Sequence, residues 1–202
     1  MINTIIFDFG NIFIDLNTAA VDKAFRNLGL KEWHADLDEI HKRFEIGKAS
    51  EVEFIQGFQK HLPNATVEEI RAAWNTVLGD FPLVRLEFLQ NLKGKYRMFL
   101  LTNTDMIHIE HFEHKEGMSI TRDFYNCFEK VYYSYELGMR KPNVEVFKLL
   151  INKHELSPKR TLFIDDKKQN TDAAASVGME VWNLKVGEEV VTDLFAKKII
   201  SL

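Results

Sequence analysis

The chain has 202 residues, 46% of them hydrophobic and 28% charged, with a formal net charge of −4 and a single cysteine, Cys127. It is long enough to bury a real core, as one domain or a domain with a sizeable insertion, and no apolar run reaches the ~18 residues of a membrane span. The composition therefore excludes a fibrous or bilayer-embedded chain, an internal disulfide and a multi-cysteine metal site, and the acidic balance argues against a general nucleic-acid binder while leaving small anionic ligands open.

Residues 2–8 form a nearly continuous apolar run ending in Asp8-Phe9-Gly10-Asn11, which predicts a strand buried on both faces and then a tight turn. Its start, Met1-Ile2-Asn3-Thr4, lacks the basic segment, apolar stretch and cleavage site of a secretion signal, so a cytoplasmic location is expected. From about 17 to 82 the period is helical, with Val21, Phe25 and Leu28, then Ile40, Phe44, Phe54, Ile55 and Phe58. Ser50 with Glu53 and Thr66 with Glu69 mark helix starts within this stretch of about four helices. Beyond Pro82 helix and strand alternate. The spacing predicts a helix at 83–93, strand 97–102, helix 104–114, strand 130–134, helix 143–154, strand 161–165, helix 168–177, strand 179–184 and a last helix at 188–197. Such alternation implies a parallel sheet with helices on both faces.

Three of the apolar runs end in polar groups: Asp8, Thr102 and the pair Asp165-Asp166. Parallel strands present their carboxyl ends on one edge, where ligands bind, so these residues converge. Asp8 is the candidate nucleophile, because a carboxylate with a pKa of about 4 is already ionised at neutral pH. An incoming phosphate dianion at about 4 Å meets roughly 4 kcal/mol of repulsion per charge pair at an effective dielectric of about 20. Asp165 and Asp166 offer the hard oxygen ligands that Mg²⁺ prefers, and the ion offsets that repulsion. Lys141, followed by Pro142, adds positive charge on the phosphoryl oxygens. The Thr102 hydroxyl and backbone N–H groups near Asn103 supply hydrogen bonds to the same oxygens. Taken singly, each residue has a plainer role: Asp8 and Asn11 closing a turn, Thr102 or Asp165-Asp166 capping a helix, Lys141 sitting exposed in a loop. Their joint placement at one sheet edge favours a metal-dependent, phosphate-processing site.

The motifs Ile5-Ile6-Phe7-Asp8-Phe9-Gly10-Asn11, Leu100-Leu101-Thr102-Asn103-Thr104, Gly138-Met139-Arg140-Lys141-Pro142 and Asp165-Asp166, with Asn170, Ala173 and Gly178 after the last, resemble the haloacid dehalogenase-like superfamily along the whole chain. Within it, Asp8-Phe9-Gly10-Asn11 and Leu137-Gly138-Met139-Arg140-Lys141-Pro142 look most like a bacterial group that includes glucose-1-phosphate phosphatases. The resemblance implies an α/β fold, a three-layer Rossmann-like core with a parallel sheet over residues 1–16 and 83–202. It also implies an inserted helical-bundle cap over 17–82 that selects the substrate. It further implies a phosphatase in which Asp8 forms an aspartyl-phosphate. By the same resemblance the Gly10 carbonyl and Asp166 bind Mg²⁺ with Asp165 close by, and Thr102 and Lys141 hold the phosphate. One position departs: most phosphatases of the superfamily carry a second aspartate where this chain has Gly10. Losing a general acid commonly costs on the order of 10²–10⁴-fold in rate, unless the leaving group needs little help. Asp15 is a substitute acid to consider.

The expected function is hydrolysis of a small phosphate monoester, a sugar phosphate among the candidates, by a monomer or homodimer. Two other readings stand beside it: a 2-haloacid dehalogenase, whose attack on carbon needs no metal, and a phosphate-ligand sensor that lost turnover at Gly10. Among the remaining residues, His108, His111 and His114 recur every three positions on a predicted helix, as a solvated face or a transition-metal set. Lys42, Arg43 and Lys48 read as surface charge or as contacts to a substrate's distal group, and Phe54, Phe58 and Trp74 as cap core or a stacking platform.

Overall fold

The structure is a computed structural model that describes residues 1–198 and 200. Five strands, β1 (Thr4–Phe7), β2 (Arg97–Thr102), β3 (Lys130–Tyr133), β4 (Thr161–Asp165) and β5 (Glu180–Asn183), form a wholly parallel sheet in the order β3-β2-β1-β4-β5. The strands read as unbroken apolar runs because both faces are covered. Ile5 and Phe7 point to one side with Met98, Leu100, Leu162 and Ile164, under helices α5 (Leu83–Leu92), α6 (Met106–Glu116) and α7 (Met118–Tyr125). Ile6, Phe99, Leu101 and Phe163 point to the other, under α9 (Val144–His154) and α10 (Lys168–Ser176). Each such fully buried side chain contributes about 1.5–3 kcal/mol of transfer free energy. The chain winds outward from β1 in one direction and then returns beside β1 through β4, so the β1–β4 boundary is the switch point where α/β sheets open a crevice.

Between β1 and α5 lie α1 (Thr18–Asn27), α2 (Ala35–Glu45), α3 (Glu51–Gln59) and α4 (Val67–Asn75). Their inner faces form a separate cluster of Phe25, Leu37, Phe44, Phe54, Ile55, Phe58, Ile70 and Trp74, to which α6 adds Ile107. Phe25 stacks on Phe58 at 4.5 Å and Phe44 on Phe54 at 4.5 Å. The capping boxes are formed at both starts named by the sequence: Ser50 Oγ accepts from Glu53 N, and Thr66 Oγ1 from Glu69 N. Phe54, Phe58 and Trp74 are thus core residues of the insertion.

Four elements differ from the sequence reading. The helix expected at 104–114 starts at Met106, because Asp105 stands as its cap and accepts from His108 N. Gly117, at φ 82°, breaks that helix and lets α7 begin in a new direction, so 118–125 is helical where no element was expected. The last expected helix, 188–197, is only a 3₁₀ turn at Val191–Leu194. Glu189 there accepts from Lys185 N and Trp182 Nε1, and Asp193 from Val190 N, side-chain bonds that hold turns in competition with a helix. A one-turn helix, α8 (Ser134–Leu137), follows β3 directly. Among the described residues no helix is long and apolar enough to cross a membrane.

Candidate active site

The parallel register dictates where the polar strand ends meet. Phe7 pairs with Leu100 and with Ile164, so one step further along each ladder Asp8 is level with Leu101 and Asp165, and Asp8 N donates to the Ile164 carbonyl at 2.9 Å. Thr102 and Asp166 follow one residue later. Asp8, Asp165 and Asp166 each offer a carboxylate oxygen, and these oxygens lie within 4.8 Å of one another.

Lys141 reaches into this edge from the loop between α8 and α9. Its side chain is 1% exposed, and Nζ lies 2.8 Å from Asp8 Oδ1, 2.7 Å from Asp165 Oδ2 and 2.7 Å from the Leu101 carbonyl. Three acceptors meet the three donors of an ammonium group, which is what makes burial of that charge tolerable. Burial opposes the charge, but the Asp165 and Asp8 carboxylates outweigh it and hold the Lys141 pKa above its ordinary value. The backbone of Lys141 is clasped by Asn103, whose Oδ1 accepts from Lys141 N at 2.9 Å and whose Nδ2 donates to its carbonyl at 2.8 Å. The side chain of Asn103 thereby positions the lysine.

Asp165 is fully buried, and its oxygens accept from Lys141, Asn170 Nδ2 and Lys167 N. Asp166 is less occupied: Oδ2 accepts from Asn11 Nδ2 at 2.8 Å. Asn11 sits at φ 57°, in the left-handed region that asparagine tolerates, and its Oδ1 also accepts from Leu16 N. Asp8 is 7% exposed, and burial pushes its carboxyl up to about 6, against the lowering effect of Lys141 and reinforced by Asp165. Three carboxylates face a single ammonium here, so the cluster carries an excess negative charge that a divalent cation would neutralise.

Beside this edge opens a cavity of about 110 Å³ bounded by Phe9, Gly10, Thr102 and Asn103 from the sheet side and by His41, Glu45 and Val77 from the insertion. Leu16, His41, Val77 and His108 also border an outer cavity of about 360 Å³ reaching Val21, Trp33 and Trp74. A buried network ties the two layers across the cavity wall. Asp105 Oδ2 accepts from Trp74 Nε1 at 3.0 Å, and His108 lies flat on the Trp74 ring with Nε2 3.2 Å from the Trp74 carbonyl. Burial drives the His41 pKa down to about 4.

The structure brings Asp8, Thr102, Asn103, Lys141, Asp165 and Asp166 together at one edge, with Gly10 on the cavity wall. It places Asp15 elsewhere, 52% exposed and paired with Arg85 at 2.8 Å. The three histidines separate: His108 faces the cavity, whereas His111 and His114 border a different depression with Arg71 and Glu110. Arg43 turns to the Lys48 carbonyl and Glu53, and Lys42 and Lys48 are exposed. Sequence reasoning missed Glu45, His41 and Asp105. Glu45 had a signal, since Leu37, His41, Phe44 and Glu45 share the inward stripe of α2 and a carboxylate on such a stripe requires a reason.

The chain matches the haloacid dehalogenase-like hydrolases over residues 2–178. It is 30% identical over 199 residues to a D-ribitol-5-phosphate phosphatase of Bacteroides thetaiotaomicron, which covers 94% of this chain and 95% of that protein. It is 30% identical over 180 residues to a sesquiterpene phosphatase of Aspergillus oryzae, with 86% and 85% covered. A solved haloacid dehalogenase-like family enzyme of Bacteroides thetaiotaomicron, in complex with magnesium and inorganic phosphate, superposes with a TM-score of 0.84 at 32% identity, covering 94% of this chain and 97% of that one. A family match that runs from β1 through the insertion to the end of α10, together with full-length relatives of one fold, settles the affiliation. The chain belongs to the haloacid dehalogenase-like hydrolase family.

Proposed function

We propose that this chain is a Mg²⁺-dependent phosphomonoester hydrolase acting on a small metabolite, a sugar or polyol phosphate, through an aspartyl-phosphate at Asp8. The observation that carries this reading is the shared edge: a nucleophilic carboxylate, a buried ammonium and a second carboxylate within reach of one ion, beside a small cavity lined by the neighbouring Phe9, Gly10, Thr102 and Asn103. Support for the substrate class comes from the D-ribitol-5-phosphate phosphatase relative, and support for the metal from the magnesium and phosphate complex of the solved neighbour.

Asp8, the Gly10 carbonyl and Asp166 would hold the ion, with Asp165 close by, its oxygens already accepting from Lys141, Lys167 and Asn170. When bound, Mg²⁺ supplies charge neutralisation for the approaching dianion. The protein supplies the rest. Asp8 is anchored by the ladder bond from its own N–H, so its carboxylate is pre-aimed rather than searched for. Lys141 and Thr102 orient the phosphoryl oxygens, and Lys141 stabilises the charge that builds on them as phosphorus is transferred. Residues 17–82 serve as a substrate-selecting cap over a catalytic core of 1–16 and 83–202, since Leu16, His41 and Val77 shape the space beyond the phosphate. The location consistent with a lone, buried Cys127 is the cytoplasm.

One feature favours a second substrate class. The outer cavity is walled by Val21, Trp33, Trp74 and Val77, surfaces that suit an apolar alcohol moiety such as that of a terpenyl phosphate. Dehalogenation fits less well, because a three-carboxylate cluster hinders the approach of an anionic haloacid to Asp8 and serves no purpose in the displacement of halide. The test is release of inorganic phosphate from a panel of sugar, polyol and terpenyl phosphates, with Mg²⁺ and with EDTA, for wild type and Asp8→Asn. Hydrolysis is expected only with wild type and metal, and full activity in Asp8→Asn sinks the reading.

A further inference from the structure

When a phosphate ester of an ordinary alcohol is cleaved, the leaving oxygen must gain a proton as its bond to phosphorus breaks. Position 10 cannot supply one: it is glycine, and a Cβ built there would stand 2.6 Å from Leu16 Cδ1. The donor has to come from the cavity wall, whose titratable side chains are His41, Glu45, Asp105 and His108.

Three of the four are unsuited. Asp105 is 1% exposed and its carboxylate accepts from Trp74 Nε1 at 3.0 Å and His108 N at 3.0 Å, with His108 Nδ1 a further 3.2 Å away, so donors already surround it. His108 has one ring nitrogen against Asp105 and the other against the Trp74 carbonyl, so both are already engaged. His41 has a pKa near 4 because burial disfavours its charge, and a neutral imidazole is a poor acid.

Glu45 is left. It ends α2, is 7% exposed, and borders the same cavity as Gly10, Thr102 and Asn103. Oε2 lies 2.7 Å from Arg140 Nη1, and no described residue hydrogen-bonds that oxygen in good geometry. Arg140 precedes Lys141, so the ion pair fixes the carboxyl relative to the loop that carries the phosphate-binding lysine. Close approach keeps it there: at Gly47, two residues on and at φ 66°, any Cβ would collide with the Tyr135 carbonyl oxygen of α8.

We propose that Glu45 is the general acid and base of this enzyme, taking the place left open at Gly10. This rests on the phosphatase reading. In the first half-reaction an Asp8 oxygen bonds to phosphorus and the phosphorus–alkoxy bond breaks. Its electron pair stays on the leaving oxygen, which takes the proton of the Glu45 carboxyl and departs as the alcohol. In the second, the Glu45 carboxylate removes a proton from water, the water oxygen bonds to phosphorus, and the bond to Asp8 breaks. Phosphate, free Asp8 and protonated Glu45 result.

The charge environment is compatible with that cycle. Burial raises the Glu45 pKa, while Arg140, Lys167 and Lys141 pull it down and Asp105 adds to the rise; the balance is upward. A bound phosphate dianion pushes the same way.

The test compares wild type, Glu45→Gln and Glu45→Asp with Mg²⁺ on two kinds of ester: alkyl phosphates (ribitol 5-phosphate, glucose 6-phosphate and glycerol 1-phosphate) and p-nitrophenyl phosphate, whose phenolate leaves without protonation. Glu45→Gln is expected to lose about 10²–10⁴-fold in first-turnover release of alcohol from the alkyl phosphates and only a few-fold in the first-turnover burst of p-nitrophenol. Steady-state turnover of both ester types is expected to fall, because hydrolysis of the shared aspartyl-phosphate has lost its base. Glu45→Asp is expected to recover part of the alkyl activity. The fall in alkyl-phosphate kcat at high pH is expected to vanish in Glu45→Gln. Equal first-turnover losses on both ester types, or unchanged alkyl hydrolysis in Glu45→Gln, overturn the role of Glu45 and leave the phosphatase reading standing. A wild type inactive on every ester overturns both.

Discussion

Lys141 Nζ lies 2.7 Å from Asp165 Oδ2, with the two side chains 1% and 0% exposed, so an ammonium and a carboxylate from opposite sides of the crevice are sealed together beneath the candidate nucleophile. Such a pair is costly to break, because removing one partner strands a buried charge at about 3–5 kcal/mol. Lys141→Met is therefore expected to lose about that much in urea unfolding and, on the proposed role of this ammonium in holding the phosphoryl oxygens, to drop kcat by on the order of 10²–10³-fold. Mg²⁺ is expected to restore part of the stability and little of the activity. A variant as stable and as active as wild type would contradict both roles.

Metal addition has a pH signature. Burial lifts the Asp8 carboxyl to about 6, so the folded metal-free protein prefers it protonated. With a folded value above the unfolded 3.8, the unfolded chain binds fewer protons between the two, and stability falls as pH rises through that window. Above pH 6 the ionised cluster is under strain that a cation relieves. Mg²⁺ at about 100-fold over its Kd adds about 2.7 kcal/mol. The gain in Tm is expected to be larger at pH 7.5 than at pH 5, which differential scanning fluorimetry measures directly; an equal shift at both values would separate Asp8 from the metal site.

The interior strands were legible because burial on both faces leaves nothing but apolar residues until the chain reaches the crevice. Thr102 and Asp165 end β2 and β4 where the apolar runs of the sequence end. The edge strands β3 and β5, half-covered, carry polar residues such as Lys130 and Glu180, and their limits shift by a residue. Lys141 was marked by its motif and its neighbour Pro142, but that its ammonium is buried under Asp8 depends on a loop that no periodicity describes. Glu45, His41, Trp74 and Asp105 were illegible as a group for a different reason: they meet only when the insertion docks on α6, a contact between segments far apart in sequence. The interruption at Gly117 escaped because a single left-handed residue turns one helix into two.

Placing at position 10 the aspartate that the superfamily resemblance implies there is expected to fail as a simple repair. The new Cβ would meet Leu16 Cδ1 at 2.6 Å, so either Leu16 turns away from the cavity or the loop shifts. Overpacking of this kind costs about 1–3 kcal/mol. Gly10→Asp is expected to be destabilised by that amount and no faster on alkyl phosphates. Adding Leu16→Ala should recover most of the stability, and a double variant as unstable as the single would show that the obstruction lies elsewhere.

His41 gives the protein an acid-sensitive joint between the insertion and the sheet. Its ring packs edge-on against Trp74 at 4.8 Å, and burial lowers its pKa from 6.5 to about 4. Because the folded value lies below the unfolded one, the unfolded chain binds the extra proton first, and stability is present in full above pH 6.5 and lost as pH falls toward 4. The span corresponds to about 3 kcal/mol. His41→Gln removes the titration, so its unfolding free energy is expected to vary less with pH across that window than wild type's, while Asp8 contributes the opposite slope in both proteins. Parallel pH profiles for the two proteins would show that His41 is solvated in solution and that the insertion does not close over it.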